Sequence, residues 1–269
     1  MKAMILAAGL GTRLRPLTDD RPKALVAVAG RTLLEIALLR LRSFGVREVI
    51  VNTHHYAEMV ADYLRAHDNF GMRIEISREE ELLDTGGGLK KAGAFFTAGG
   101  DSEEPFILHN VDVISSIDLG RMMRFHSERA ALATLAVQDR ATSRYLLFGQ
   151  QGQLCGRRTG GSLKTEALTD ESRHDEARKA EDGKVEWARP AREAHALGFS
   201  GIHVVSPKIF AKMKEEGAFS IIATYMRLAA QGEKIVAFRA DEYYWRDLGR
   251  PESILEAAQD MVSGRYSMA

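Results

Sequence analysis

Short apolar runs alternate with helix-periodic stretches along the first half of the chain. Ala3-Met4-Ile5-Leu6, stopped by Gly9 and Gly11, reads as a first buried strand. Thr32-Leu33-Leu34-Glu35 has the capping-box pattern, and Leu34, Leu38, Leu39 and Leu41 follow at roughly helical spacing. Glu48–Asn52 predicts a second strand, Tyr56–Ala66 a helix, Arg73–Ser77 a third strand and Gly88–Phe96 a helix. Pro105–His109 predicts a fourth strand ending at Asn110-Val111-Asp112, followed by a helix over Ile117–Ala130 and a strand over Leu132–Val137. Such alternation implies a Rossmann-like, three-layer α/β/α architecture with a mainly parallel, mixed central sheet. Ligands of such sheets bind beyond the carboxyl ends of the strands, so the loops after Leu6, Asn52, Ser77 and His109 become the candidate site.

The pattern changes after Asp139. Tyr145–Phe148 reads as a strand. Ser162–Glu193 then holds seven basic and nine acidic residues among 32, too many to supply core. This predicts one domain over 1–269 with a solvated, charged insertion at about 162–193. Regular patterning resumes with strands at Leu197–Val205 and Ile235–Phe238 and helices at Ser220–Gln231 and Pro251–Met261.

Composition narrows the classes. Lysine plus arginine and aspartate plus glutamate number 37 each, and this balance argues against a bulk nucleic-acid or membrane-surface binder. Cys155 is the single cysteine, so neither an internal disulfide nor a cysteine-based zinc site can form. The run Ala3–Ala8 is too short for a secretion signal or a membrane span, and the expected location is the cytoplasm.

The most informative segment is Leu6-Ala7-Ala8-Gly9-Leu10-Gly11-Thr12-Arg13-Leu14-Arg15-Pro16-Leu17-Thr18, followed by Arg21-Pro22-Lys23. Glycines after a first strand let backbone N–H groups approach phosphate oxygens. Two rival phosphate motifs fail. A dinucleotide loop wants a third glycine where Leu14 stands, and an acidic residue ending the second strand, where the chain has Asn52-Thr53-His54. A Walker loop wants Gly-Lys-Ser/Thr, which is absent. This loop offers instead the cations Arg13, Arg15 and Lys23, which suit a triphosphate, with Pro16 and Pro22 stiffening their placement.

Carboxylates come next. Asp112, at the end of a predicted strand, can point into the ligand crevice or cap the following helix. Asp247, in Trp245-Arg246-Asp247-Leu248-Gly249-Arg250-Pro251-Glu252, lies in a turn before the last helix, with Pro251 at its first position. Two oxygen ligands with substrate phosphates and water make a usual magnesium arrangement. Glu80-Glu81-Leu82-Leu83-Asp84-Thr85-Gly86-Gly87-Gly88 opens a helix with glycines that allow close backbone approach. The His54-His55 pair reads as a packed or solvated feature near the site rather than a metal centre.

Leu6–Lys23 resembles the signature of sugar-1-phosphate nucleotidyltransferases, Leu-Ala-Ala-Gly-x-Gly-x-Arg-Leu-x-Pro-Leu-Thr…Pro-Lys. Trp245–Glu252 resembles the family's Trp-x-Asp-Ile/Leu-Gly-x-Pro-Glu segment, and Phe199-Ser200-Gly201-Ile202 its Phe-x-Gly-Ile strand. The resemblance implies the family's GT-A-like fold, a nucleoside triphosphate and a sugar-1-phosphate as substrates, and Mg2+ as cofactor. It implies that Leu6, Ala8, Gly9, Gly11, Thr12, Arg13, Glu81, Gly86, Gly87 and Asn110 bind the nucleotide. Asp84, Ser200 and Gly201 would then face the sugar. Asp112 and Asp247 would hold magnesium, and Arg13, Lys23 and Asp112 would carry the catalysis.

Leu83-Asp84-Thr85-Gly86-Gly87 is most similar to N-acetylmuramic acid-1-phosphate uridylyltransferases and to related guanylyl- or uridylyl-transferring members. Thymidine ranks lower, because thymidylyltransferases carry a glutamine near Glu81 and a proline near Asp84. The expected reaction joins an NTP, with UTP favoured, to a sugar-1-phosphate and releases pyrophosphate. Two alternatives stay open: a mannose- or heptose-type guanylyltransferase, and a non-catalytic sugar-nucleotide sensor. The sensor reading sits poorly with a chain that keeps Arg13, Lys23, Asp112 and Asp247. Oligomeric state stays open.

Overall fold

A computed structural model describes residues 1–98, 103–160, 168–169 and 183–267. The first four long strands are β1 (Lys2–Leu6), β4 (Glu48–Thr53), β5 (Arg73–Arg78) and β6 (Phe106–Asn110), with a small hairpin of β2 (Ala27–Val28) and β3 (Arg31–Thr32) between the first two. They pair in parallel in the order β5-β4-β1-β6, Ala3 lying opposite Val49 on one side and Ile107 on the other. Helices α1 (Leu33–Ser43), α2 (Ala57–Ala66) and the pair α3 (Asp84–Lys91) and α4 (Gly93–Thr97) make the crossovers. Thr32 caps α1, its Oγ1 accepting from the Glu35 amide at 3.1 Å, as the capping-box pattern implies.

The remaining strands are β7 (Val113–Ser115), β8 (Ala133–Gln138), β9 (Arg144–Gly149), β10 (Leu154–Thr159), β11 (Leu168–Thr169), β12 (Lys184–Trp187), β13 (Glu193–Val205), β14 (Ile235–Arg239) and β15 (Trp245–Asp247). Helices α5 (Leu119–Glu128), α6 (Ile221–Ala230) and α7 (Pro251–Val262) complete the set. The 13-residue β13 runs antiparallel to β6, β8 and β9, while β8 and β14 pair in parallel. The sheet is therefore mixed, parallel in its first half and antiparallel where β13 joins it.

Alternation along the strands separates two cores. Ala3, Ile5, Val49, Val51 and Ile107 face one apolar cluster with Leu34, Leu38, Leu41, Met122 and Ala257. Met4, Ile50, Phe106 and Leu108 face the other with Leu89, Phe96, Ile209, Tyr225 and Leu228. Strands covered on both faces read as continuous apolar runs, which is why they were legible. The three layers follow directly.

Several local expectations are corrected. The helix expected over Gly88–Phe96 begins at Asp84 and breaks at Ala92. β7 intervenes between Asp112 and the next helix. β10, too polar to stand out, pairs with β9. Within the charged stretch, Lys184–Trp187 pairs with β10 at the sheet edge rather than leaving the fold. Apart from 168–169, residues 162–182 of that stretch lie outside the described residues. Among the described residues no helix is long and apolar enough to cross a membrane.

Candidate active site

The loop after β1 is held open by its own packing. Gly11 takes a left-handed φ of 65° and opens a short 3-10 turn over Thr12–Leu14. Thr18 Oγ1 donates to Gly11 O at 2.9 Å. Leu14 is fully buried in the first core, so the position where a dinucleotide loop has its third glycine is here an apolar anchor. Gly9, Leu10, Thr12 and Arg13 are left exposed above it, while Ala8 is buried and Leu6 half-buried.

Below the loop lies a buried polar hub that sequence reading missed. Asn52 Oδ1 accepts from the Ala7 amide at 2.7 Å, and Asn52 Nδ2 donates to Glu79 Oε1 at 2.7 Å. Glu79 Oε2 accepts from the Leu83 amide at 3.0 Å. His54 Nδ1 lies 2.9 Å from Glu79 O. One nearly buried carboxylate thus ties the loops after β1, β4 and β5 together. Its signal in the sequence was slight: an acidic residue directly after a strand, overshadowed by Glu80 and Glu81.

The glycine run serves protein packing. Gly86 and Gly87 donate their amides to Phe219 O at 2.8 and 3.3 Å, and Phe219 N donates to Leu83 O at 3.1 Å. A Cβ at Gly86 would meet the Phe219 ring, and one at Gly87 the Gly217 carbonyl. The expectation that these glycines offer open backbone to a ligand thus meets an arrangement in which the segment before α6 lies on them. Glu81 and Asp84 are exposed, and Asp84 Oδ1 accepts from the Thr85 amide at 2.6 Å.

At the far end the fold gathers the charges. Lys23 Nζ donates to Asp112 Oδ2 in an ion pair whose two side chains are mostly buried. β7, starting one residue after Asp112, pairs antiparallel with β15, and Asp247 stands opposite Val113. The Leu248 amide donates to Asp112 O at 2.7 Å. A Cβ at Gly249 would lie 2.7 Å from Asp247 Oδ1 and 2.9 Å from an Arg13 guanidinium nitrogen. Arg13, Lys23, Asp112 and Asp247 therefore meet at the carboxyl end of β6, on one side of the sheet's central strands.

β13 carries a bulge between Phe199 and His203 beside this cluster. Gly201 has φ 73°, and a Cβ there would lie 2.9 Å from Asn110 Nδ2. Ser200 is fully buried; its carbonyl accepts from Trp245 Nε1 at 2.7 Å. It braces the wall of the crevice rather than lining it, which differs from its expected contact with sugar. Arg140, missed in the sequence, donates to Phe199 O at 2.6 Å and lies 3.8 Å over the Trp245 ring. Burial lowers the Arg140 pKa, with the Asp247 charge opposing.

Among the described residues no group of three or more histidine, cysteine, aspartate or glutamate side chains could hold a metal. Asp112 and Asp247 instead form a two-carboxylate set of hard oxygen donors. That set fits a magnesium ion whose other ligands are phosphate oxygens and water.

Residues 2–149 fit the nucleotidyl transferase family model. The chain belongs to that family and is an enzyme of the sugar-1-phosphate nucleotidyltransferase type. It is 36% identical to N-acetylmuramate alpha-1-phosphate uridylyltransferase of Caulobacter vibrioides over 95% of this chain and 94% of that one. It is 28% identical to mannose-1-phosphate guanylyltransferase of Mycobacterium tuberculosis over 97% of this chain and 65% of that one. Among solved structures, a UDP-glucose pyrophosphorylase complexed with UDP-glucose superposes with a TM-score of 0.70 at 18% identity, covering 98% of this chain and 99% of that one, a likeness of fold.

Proposed function

We propose that the enzyme transfers a uridylyl group from UTP to N-acetylmuramic acid 1-phosphate, giving the UDP-sugar and pyrophosphate. The observation that carries this reading is the meeting of Lys23, Arg13, Asp112 and Asp247 at the end of β6. The full-length likeness to the Caulobacter uridylyltransferase favours this pair of substrates.

The chemistry needs little proton transfer. A phosphate monoester has its second pKa near 6, so the acceptor oxygen is anionic at neutral pH. That oxygen attacks the α-phosphorus, a new P–O bond forms, and the bond to the β-phosphate oxygen breaks with its electron pair leaving on pyrophosphate. Repulsion between the two anions is the main barrier. Arg13 would meet the triphosphate as a fork, and Lys23 would supply a point charge at the α-phosphate. When bound between Asp112 and Asp247, Mg2+ would neutralise phosphate charge. The Asn52–Glu79 hub would hold the base-side loops in register for alignment, itself worth on the order of 7 kcal/mol in favourable cases.

A second reading, guanylyl transfer to a mannose- or heptose-type acceptor, rests on the alignment with the Mycobacterium guanylyltransferase over nearly the whole chain. The deciding experiment is pyrophosphate release with Mg2+ across UTP, GTP, CTP and dTTP, each paired with N-acetylmuramic acid, N-acetylglucosamine, mannose and heptose 1-phosphates. Turnover with UTP and the muramic acid derivative is the expected result. Preference for GTP with mannose 1-phosphate would replace it with the second reading, and nucleotide binding without any turnover would leave a sensor.

A further inference from the structure

The guanidinium of Arg140 is laid flat in a slot. On one side Gly198 of β13 has no side chain, and a Cβ there would meet Arg140 Cγ and Cζ at 3.0 Å. On the other lies the indole of Trp245 at 3.8 Å. One nitrogen bonds Phe199 O, and Trp245 is itself fixed through Nε1 to Ser200 O. Arg140 Nε is buried with no hydrogen-bond partner. Among the described residues no carboxylate forms an ion pair with Arg140, although the Asp247 charge acts on it.

Position along β15 decides what this cation could read. Trp245 and Asp247 are two residues apart on one strand, so their side chains leave the same face, spaced on the order of 7 Å. Asp247 marks the phosphate end of the crevice, and Trp245 marks the next place along it, about one sugar ring away. A cation held against Trp245 is thus set to meet a group on the sugar rather than the 1-phosphate, which Lys23 and Arg13 already face.

We propose that Arg140, held between Gly198 and Trp245, is a specificity residue that binds an acidic substituent on the acceptor sugar. The assignment rests on the reaction class argued above and names the acceptor class: a sugar 1-phosphate that carries a carboxylate beyond its phosphate. A planar guanidinium pre-set by stacking accepts a carboxylate with little loss of entropy. A sugar identical but for the carboxylate leaves that cation unpaired.

The test compares N-acetylmuramic acid 1-phosphate with N-acetylglucosamine 1-phosphate, which lacks the carboxylate-bearing ether. For each, kcat/KM is measured with UTP in the natural enzyme, Arg140→Gln and Arg140→Lys. The expected result is an acidic-over-neutral preference in the natural enzyme that falls about ten- to hundredfold in Arg140→Gln, mostly through KM of the acidic acceptor, and falls partway in Arg140→Lys. Equal losses for both acceptors, with the preference kept, would overturn the assignment and leave Arg140 as a brace for Trp245. A natural enzyme that turns over but prefers the neutral sugar would also overturn it. Absence of turnover with UTP and either acceptor would sink the underlying reading of UTP and N-acetylmuramic acid 1-phosphate as the substrates instead. UTP binding by the variants, followed by thermal shift, separates loss of the fold from loss of recognition, and Gly198→Ala, which pushes on Arg140 from the other side, must shift the same preference.

Discussion

The main-chain carbonyl of Asp112 accepts a 2.7 Å hydrogen bond from the amide of Leu248, the residue immediately after Asp247. This bond and the β7–β15 ladder hold two carboxylates from opposite parts of the chain at one place. The ladder is anchored from behind. Asp260 on α7, almost fully buried, accepts from Tyr244 Oη at 2.7 Å and from Arg246 at 2.6 Å, and pairs with Arg265. Asp260→Asn leaves every group in the crevice intact yet loosens β15. The expected outcome is a fall in kcat of about ten- to hundredfold, the scale expected from small misplacements of reacting groups. Steady-state pyrophosphate assays check it, and an unchanged kcat would detach α7 from the positioning of Asp247.

Lys23 and Asp112 neutralise each other in the crevice. Lys23→Ala and Asp112→Ala are each expected to reduce turnover by about 10²- to 10³-fold or more while far-UV circular dichroism stays native. Near-normal rates in both variants would move the active site elsewhere.

Gly86 has no room for a methyl group, because Phe219 lies on it. Gly86→Ala is expected to destabilise the enzyme by about 1–3 kcal/mol through overpacking. Adding Phe219→Leu should return part of that loss, so urea unfolding of the single and double variants forms a cycle. Strict additivity would show that the two residues are not in contact.

Glu79 gives its two carboxylate oxygens to Asn52 and to the Leu83 amide. Glu79→Ala strands the buried Asn52 donor, an expected loss of about 1–3 kcal/mol, and frees the part-buried Leu83 amide and the loop after β5. KM for the nucleotide should rise more than KM for the acceptor. The opposite pattern would remove the hub from the nucleotide side.

Among the described residues three imidazoles are buried. Desolvation pushes His109 and His126 down to about 4 and His203 to about 3. Each is neutral when folded and takes a proton near pH 6.5 when unfolded. Between pH 6.5 and about 4 the unfolded chain therefore binds more protons than the folded one, and stability falls as the pH falls. The unfolding free energy should drop by up to about 1.4 kcal/mol per pH unit for each histidine in that window and level off above pH 7. Urea titrations at half-unit steps measure the slope; a flat profile from pH 7 to 4.5 would mean that these rings are hydrated.

The parts of the enzyme legible in the sequence are those whose meaning is local. Met4 and Ile5 belong to an apolar run whichever core they face, and Gly11, Arg13 and Lys23 sit within one short motif. Asp112 and Asp247 could be singled out one at a time, but their adjacency depends on β7 and β15, each three residues long and too short to leave a periodic signature. Glu79 and Arg140 were silent for a related reason. Each looks like a surface charge until Asn52, Gly198 or Trp245 is brought against it by distant strands. The triple glycine is ambiguous because glycine answers equally to a ligand and to a neighbour such as Phe219 at Gly86, and the sequence does not say which.

β13 adds a constraint of a different kind. Its first residues are hydrogen bonded to β9, and its last to β6 and β8. The parallel first half of the sheet and its antiparallel second half are thus joined through one strand. That strand bends at the bulge between Phe199 and His203, where Gly201 holds a left-handed φ of 73°, so any hinge between the two halves would fall at that residue.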